Sequence, residues 1–282
     1  MAADLHCHTK MSDGSTGIDE LLQLAKKRGL KAVAVTDHDT FAGATRAKIL
    51  GERTGIQVVP GVEFSCIDGR TGRKAHLLCY LCENPDRLEG LCRRMGDSRK
   101  KAAAVMLQKI MRQYPITPEM VSRRAQGSTN IFKQHIMHAL MDAGYAVTLY
   151  GELFDKLFHP QTGIALFPLE YPDVRDVLAQ IHEAGGVAVL AHPGVYDSYG
   201  LLEELTVLGL DGVEVWHPRN REGDAQRLSA FAKEHGLLMT GGSDFHGMYS
   251  KKPNPVGSCT APDEQLSLLF KRGEQLSRKG RH

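Results

Sequence analysis

At 282 residues the chain can bury one barrel-sized core, or such a core with an inserted unit, and is too short for a multidomain machine. A net charge of +2 and 42% hydrophobic residues are ordinary for a globular protein and give no overall sign of nucleic-acid or membrane binding. The opening MAADLHCHT lacks a basic stretch followed by an apolar one, and no run is long enough to cross a bilayer, so a cytoplasmic protein with no membrane partner is expected.

Short apolar runs alternate with helical periodicity, as in βα units with parallel strands. The pattern predicts a strand over 3–8, an amphipathic helix over 18–28 and a strand over 32–36, then a helix ending near 54 and strands over 57–65 and 75–81. Beyond residue 84 helical stretches dominate to about residue 159, with breaks at 114–118, 126–129 and near 144. The alternation then resumes with a helix over 174–184, a strand over 187–191, a helix over 201–208 and a strand over 212–216. A helix over 224–235, a strand over 237–245 and a helix over 263–277 complete it. About seven strands suffice for a barrel. The expected organisation is therefore a first barrel part at 1–83, a helical insertion at 84–160 and a second barrel part at 161–282.

Charge follows the same division. Residues 87–133 hold eleven Lys or Arg against three Asp or Glu, a net +8, so the remainder carries +2 minus +8, or −6. The six cysteines suit no small disulfide scaffold and are expected to be reduced. Cys79 and Cys82 form a CxxC within a strand-like run, where an odd separation sends the thiols to opposite faces.

Three strings supply imidazole and carboxylate groups at alternate positions: His6-Cys7-His8, Asp37-His38-Asp39 and Asp244-Phe245-His246. Residues i and i+2 of a strand share a face, so His6 with His8, and Asp244 with His246, would project as pairs into one space. Such ligands suit Zn²⁺, Mn²⁺ and Fe²⁺. All of them fall at the downstream ends of predicted strands, the end of a parallel barrel that carries the active site.

The strings HCHT, TDHDT, PGVEFS, AHLLCY, AHPG and GSDFH, in that order, resemble the PHP (polymerase and histidinol phosphatase) family over roughly two thirds of the chain. The resemblance implies an α/β fold, a distorted seven-stranded TIM-like (β/α) barrel, holding two to three divalent metal ions (Mn, Zn or Fe). It implies a first metal on His6, His8, Glu63 and Asp244, with Glu63 bridging to a second on His76 and His192, and a third on Asp13, His38 and His246. Many members of the family have histidine where this chain has Asp13, which makes the third site richer in oxygen. Three carboxylates against three divalent ions leave an excess of about +3, a site suited to phosphate.

The implied activity is metal-dependent hydrolysis of phosphate esters by attack of a metal-bridging hydroxide on phosphorus, with Glu63, Asp244 and His192 at the catalytic centre. His217, in VWHPRN, is the candidate leaving-group acid and Arg219 a candidate phosphate ligand. The basic insert reads as a lid that clamps a second phosphate, with Arg99, Lys100, Arg123, Arg124 and Lys133 as candidates, and His135 approaching from above. The expected partner is a small multiply phosphorylated substrate, a nucleoside 3',5'-bisphosphate or a phosphorylated ribose cyclic phosphate. Competing readings are a 5'-to-3' exoribonuclease on short RNA, a non-catalytic metal-binding PHP module, and a related barrel enzyme hydrolysing C–N bonds, whose usual bridging lysine has no counterpart here. Asp37 is expected to orient a metal-binding imidazole, and Asp39 with Thr40 to cap the following helix.

Overall fold

A computed structural model describes residues 2–279. The chain runs β1 (Ala3–Asp4), α1 (Ile18–Lys27), β2 (Ala32–Val35), α2 (Ala44–Thr54), β3 (Gln57–Ile67), β4 (Lys74–Tyr80), α3 (Glu89–Met111), α4 (Pro118–Arg124), α5 (Lys133–Asp142) and α6 (Glu152–Phe158). It continues with α7 (Val174–Glu183), β5 (Val187–Leu190), α8 (Pro193–Tyr196), α9 (Leu202–Val207), β6 (Gly212–Trp216), α10 (Asp224–Glu234), β7 (Leu238–Gly241) and α11 (Asp263–Lys279).

The seven strands form one sheet in sequence order, β1 to β7. Its ends approach each other: the Leu5 amide donates to the Gly241 carbonyl at 3.0 Å, and Cys7 bridges in parallel to Phe245. The sheet is thereby nearly closed into a barrel. Parallel pairing is broken at one strand, since β4 runs antiparallel to both β3 and β5. This departs from the all-parallel expectation and has a functional consequence. His76 lies near the start of β4, paired in register with Ser65 near the end of β3, so only the reversed direction brings it to the ligand-bearing mouth.

Apolar patterning explains the layers. All four residues of β2 and of β5 are buried, as in strands covered on both faces. Leu5, Ala34, Val59, Leu78 and Val189 belong to one cluster, while Val62, Phe64 and Leu77 pack with Val177, Leu178 and Ile181 of α7. Each fully buried Leu or Phe contributes about 1.5–3 kcal/mol. The insert has a cluster of its own, with Met106, Ile110, Val121, Ile136, Leu140 and Phe158 at its centre, and it draws in Ala165 and Tyr249 from outside 84–160.

Local backbone corrects one reading. Leu81 adopts a left-handed φ of 52°, which ends the strand alternation and turns the chain. Cys82 consequently packs against the same apolar cluster that holds Cys79, its thiol donating to the Ala184 carbonyl at 3.5 Å, and the two do not point to opposite faces. All six cysteines are free.

Gly242, at the β1/β7 seam, has no room for a side chain because a Cβ there would collide with the backbone and Cβ of His6. Gly242→Ala is expected to destabilise the fold by about 1–3 kcal/mol through forced displacement of the seam. Chemical denaturation checks this, and an alanine variant as stable as the parent would contradict it.

Candidate metal centre

The strand ends bring nine imidazole and carboxylate side chains into one buried cluster. His6 Nε2 and His8 Nε2 face each other at 3.2 Å. Glu63 Oε2 lies 3.3 and 3.2 Å from them, and Asp244 Oδ1 3.7 and 3.5 Å. The other Glu63 oxygen, Oε1, is 2.6 Å from His76 Nδ1 and 2.7 Å from His192 Nε2. On the outer side Asp13 Oδ1 is 3.3 Å from His246 Nε2 and 3.7 Å from His8 Nδ1, with His38 Nε2 4.0 Å from Asp13 Oδ2. His8 thus faces two groups through its two ring nitrogens. Ligand atoms fall within 4.8 Å of one another in four sets: His8, Asp13, His38 and His246; His6, His8 and Asp244; His6, Glu63 and His192; and His38, Glu63 and His76.

His6 with His8, and Asp244 with His246, do face one another in pairs, but not from regular strands. Regular pairing ends at Asp4 and Gly241, so His6, His8, Asp244 and His246 sit on irregular extensions. Asp39, His192 and Asp244 have positive φ of 54°, 25° and 50°. Each such residue costs about 1–3 kcal/mol, and such strain concentrates at functional sites.

Electrostatics suits this cluster to cations. Burial opposes charge on Glu63, yet His76, His6 and His38 hold its carboxyl well below the ordinary range. Burial likewise opposes protonation of His8, but hydrogen bonds with Asp244 and Glu63 push it up to about 10. Buried carboxylates here require positive charge beside them, which protons or divalent ions supply. His38 is pushed down to about 3, chiefly by burial, and is held as the neutral ring that ligates metals. The Nδ1 atoms of His8 and His192 are buried without a hydrogen-bond partner, at about 1–3 kcal/mol each if left so, and His38 Nδ1 lies 3.3 Å from Glu63 Oε2 without hydrogen-bond geometry. The donor set therefore fits divalent ions.

A ring of supporting groups fixes these side chains. Glu214, in the middle of β6, was not singled out by its sequence. Its Oε1 lies 3.0 Å from His6 Nδ1, and its Oε2 accepts from the His192 amide at 2.8 Å. The one available signal was a carboxylate inside the apolar run GVEVW. Asp4 was also missed; it accepts from the Ser243 amide and hydroxyl and the Gly257 amide at 2.9, 2.6 and 2.8 Å, tying β1 to the segment that carries Asp244.

Asp37 touches no ligand imidazole. It accepts from Thr9 N, Thr9 Oγ1 and Ser12 Oγ at 2.8, 2.7 and 2.7 Å and so shapes the loop carrying Asp13. Asp39 does not cap a helix, since α2 starts after Gly43 with no side-chain cap; it is buried against Arg99. Thr40 Oγ1 accepts from the Ala42 amide, a turn short of the helix. His217 is buried with Nε2 3.3 Å from Asp244 Oδ2, where it positions the carboxylate and does not line the mouth. Arg219 donates to the same oxygen at 3.0 Å and does line the mouth.

Candidate substrate residues divide sharply. Arg99 is buried and donates to Asp39 Oδ2 through Nε at 3.1 Å and Nη2 at 2.6 Å, and to Ser65 Oγ at 2.8 Å, anchoring α3 to the barrel. Its guanidinium also lines a cavity of about 500 Å³ with Lys74, Lys133, His38 and His76. Lys100 lines a different, outer groove on the insert, and Arg124 is paired with Asp142. Arg123 is exposed away from both cavities at the cluster. His135 is buried with Nδ1 accepting from the Phe132 amide, and burial pushes it down to about 4, so it shapes the start of α5 and does not approach from above.

Removing the Glu214 charge leaves His6 unoriented, so Glu214→Gln is expected to weaken divalent-ion binding by about 10- to 100-fold. Competition with a coloured chelator measures it. Unchanged affinity would show that Glu214 only fills space.

A model of the PHP domain matches residues 4–189. A phosphoribosyl 1,2-cyclic phosphate 1,2-diphosphodiesterase of Eggerthella lenta is 40% identical over 256 residues, which cover 90% of this chain and 97% of that protein. A 5'-3' exoribonuclease of Haemophilus influenzae is 30% identical over 249 residues, covering 86% and 89%. Among solved structures, one from Bifidobacterium adolescentis described as a metal-dependent phosphoesterase superposes with a TM-score of 0.87 at 31% identity, covering 96% of each chain. With the family model running from β1 into β5 over the residues that build most of this cluster, the chain belongs to the PHP domain family.

Proposed function

We propose that this metal-dependent phosphoesterase hydrolyses a small, multiply phosphorylated ribose ester, of the ribose cyclic phosphate type first and the nucleoside 3',5'-bisphosphate type second. The observation that carries the reading is the cavity beside the cluster. It is lined by the ligand-type residues Asp13, His38 and His76 and also by Lys74 and Lys133, for which no carboxylate partner is found among the described residues. Lys74 sits 5.2 Å from the Tyr171 ring and Lys133 5.7 Å from the Phe158 ring, so aromatic faces hold both without neutralising them. A phosphate ester bound at the cluster would extend its second phosphate toward these ammonium groups. The activity of the Eggerthella lenta relative, on a ribose bearing a cyclic phosphate, supports this order of preference.

His6, His8, Glu63 and Asp244 would hold one divalent ion, Glu63, His76 and His192 a second, and Asp13, His38 and His246 a third. When bound, such ions supply an acidic water and positive charge for phosphoryl oxygens. Glu214 holds His6 in orientation and also grips the His192 amide, so one buried carboxylate serves both sides. His217 and Arg219 fix Asp244. Arg99 sets α3, and with it the wall of the cavity, against Asp39 and Ser65. Tyr196, on α8, packs its ring 4.8 Å from that of His76 and lines the cavity beside it.

The test is a panel of p-nitrophenyl phosphate, a 5-phosphoribosyl cyclic phosphate, a nucleoside 3',5'-bisphosphate and a 5'-phosphorylated oligoribonucleotide. The two small bisphosphorylated esters are expected to give the highest kcat/KM. A strong preference for the oligoribonucleotide would replace this reading with RNA trimming, and absence of any hydrolysis by the metal-loaded protein would overturn it.

Lys133 supplies a pH signature. Burial first, then Lys74 and Arg99, push its ammonium down to about 8, so its charge is present below that pH and lost above it. Because a phosphate monoester is already dianionic there, its second pKa being about 6, KM for the bisphosphorylated substrate should rise above pH 8. Lys133→Arg should abolish that rise, because guanidinium stays charged. Lys133→Glu should raise KM by about 10- to 100-fold, a change of 1.5–3 kcal/mol, while p-nitrophenyl phosphate loses little. Equal losses on both substrates would assign Lys133 to the fold.

A further inference from the structure

The cluster opens onto a second cavity, also about 500 Å³, that shares Asp13, His38, His76, Gln134 and Tyr196 with the first and otherwise diverges from it. The first runs under the insert past Phe132 and Phe158. The second includes Glu63, His192, Asp244 and His246 and leads out past Arg219 and the segment after His246. Its outer wall holds Lys251, Lys252 and Asn254. Both lysines are exposed, and neither has a carboxylate partner among the described residues. The carboxylates that do line this cavity, Asp13, Glu63 and Asp244, belong to the metal-ligand set.

We infer that Arg219, Lys251 and Lys252 form an anion subsite for a further phosphate of a phosphodiester substrate, on the other side of the phosphorus under attack, and so on the opposite flank of the metal centre, from Lys74 and Lys133. The inference rests on the phosphoesterase reading above and deepens it: the cleft accepts esters with a phosphate on each side of the one being cleaved. The location follows from the carrier. Lys251 and Lys252 are five and six residues beyond His246, and the intervening Tyr249 is pinned by three contacts. Its hydroxyl is 2.9 Å from His138 Nδ1, its carbonyl accepts from Tyr150 Oη at 2.6 Å, and its ring is buried in the cluster of the insert. The lysine pair is therefore presented from a fixed base next to a metal-ligand candidate. Arg219 is held from the other side by Asp244 at 3.0 Å, with the guanidinium half exposed to the cavity. Asn220, Asn254 and Tyr150 offer hydrogen-bonding groups between them, suited to a sugar.

The experiment compares a nucleoside 3',5'-bisphosphate with a 5'-phosphorylated dinucleotide that also carries a 3'-phosphate, on wild type and on the Lys251→Glu/Lys252→Glu double variant. The variant should lower kcat/KM for the extended substrate at least tenfold and for the short one less than twofold, with the loss in KM. The salt dependence of KM for the extended substrate should flatten in the variant, each lost phosphate contact on a single strand removing a log–log slope of about 0.7. Equal losses on both substrates, or none on either, would overturn the subsite. Should wild type cleave neither substrate, the phosphoesterase reading fails and binding decides the subsite alone: fluorescence anisotropy of the labelled extended dinucleotide should show at least tenfold weaker binding to the double variant, and equal binding would refute it. Lys251→Arg/Lys252→Arg retains the charge and should retain the preference, which separates electrostatic recognition from damage to the loop.

Discussion

Three carboxylates, Asp13, Glu63 and Asp244, are buried together and all are held in the ionised state. Burial alone would neutralise them. Their ionisation is possible because six imidazoles from the strand ends converge on them, and protons on those rings or divalent ions between them supply the opposite charge. Glu63 is the point on which this depends. Its two oxygens face different sets of histidines, Oε2 facing His6, His8 and His38 and Oε1 facing His76 and His192, so a single side chain joins two halves of the barrel. The antiparallel β4 is part of the same constraint, since a parallel strand would carry His76 to the opposite end.

The insert is fixed to this centre by charge as well as by packing. Arg99 on α3 and Asp39 after β2 form a buried bidentate pair, with Phe132 stacked 4.7 Å from the guanidinium. Removing one partner of such a pair typically costs 3–5 kcal/mol. The positive charge of the insert therefore divides into one residue that locks it to the barrel, one that faces the cavity, Lys133, and several that remain on the outer surface. Gln134 of α5 also reaches Asp13, its Nε2 donating to Oδ2 at 3.3 Å. The wall of the cavity beneath the insert and the outer part of the ligand cluster are thus set by the same helix.

Much of this was legible in the sequence because ligand chemistry is local. HCHT and GSDFH carry their pairs within three residues, and the predicted strands fall within a few residues of β1 to β7. What was not legible depends on separation or direction. Glu214 meets His6 across 208 residues, and its place inside the apolar run GVEVW marks it as unusual without indicating its partner. Lys74 opens β4, a strand whose direction no periodicity reveals. A count of basic residues could not distinguish Arg99, which is spent on Asp39, from Lys133, which has no carboxylate partner among the described residues. The CxxC reading failed because alternation assumes a strand that continues, whereas Leu81 ends it.

Metal content decides whether this cluster is a metal centre. Elemental analysis of protein purified without chelator, alongside the Glu63→Gln variant, tests it most directly. The account expects two to three divalent ions per chain in the parent, as its sets of ligand atoms allow, loss of at least one ion in the variant, and phosphatase activity that disappears with chelation and returns with added metal. Parent protein that is free of metal and fully active on phosphate esters would contradict it.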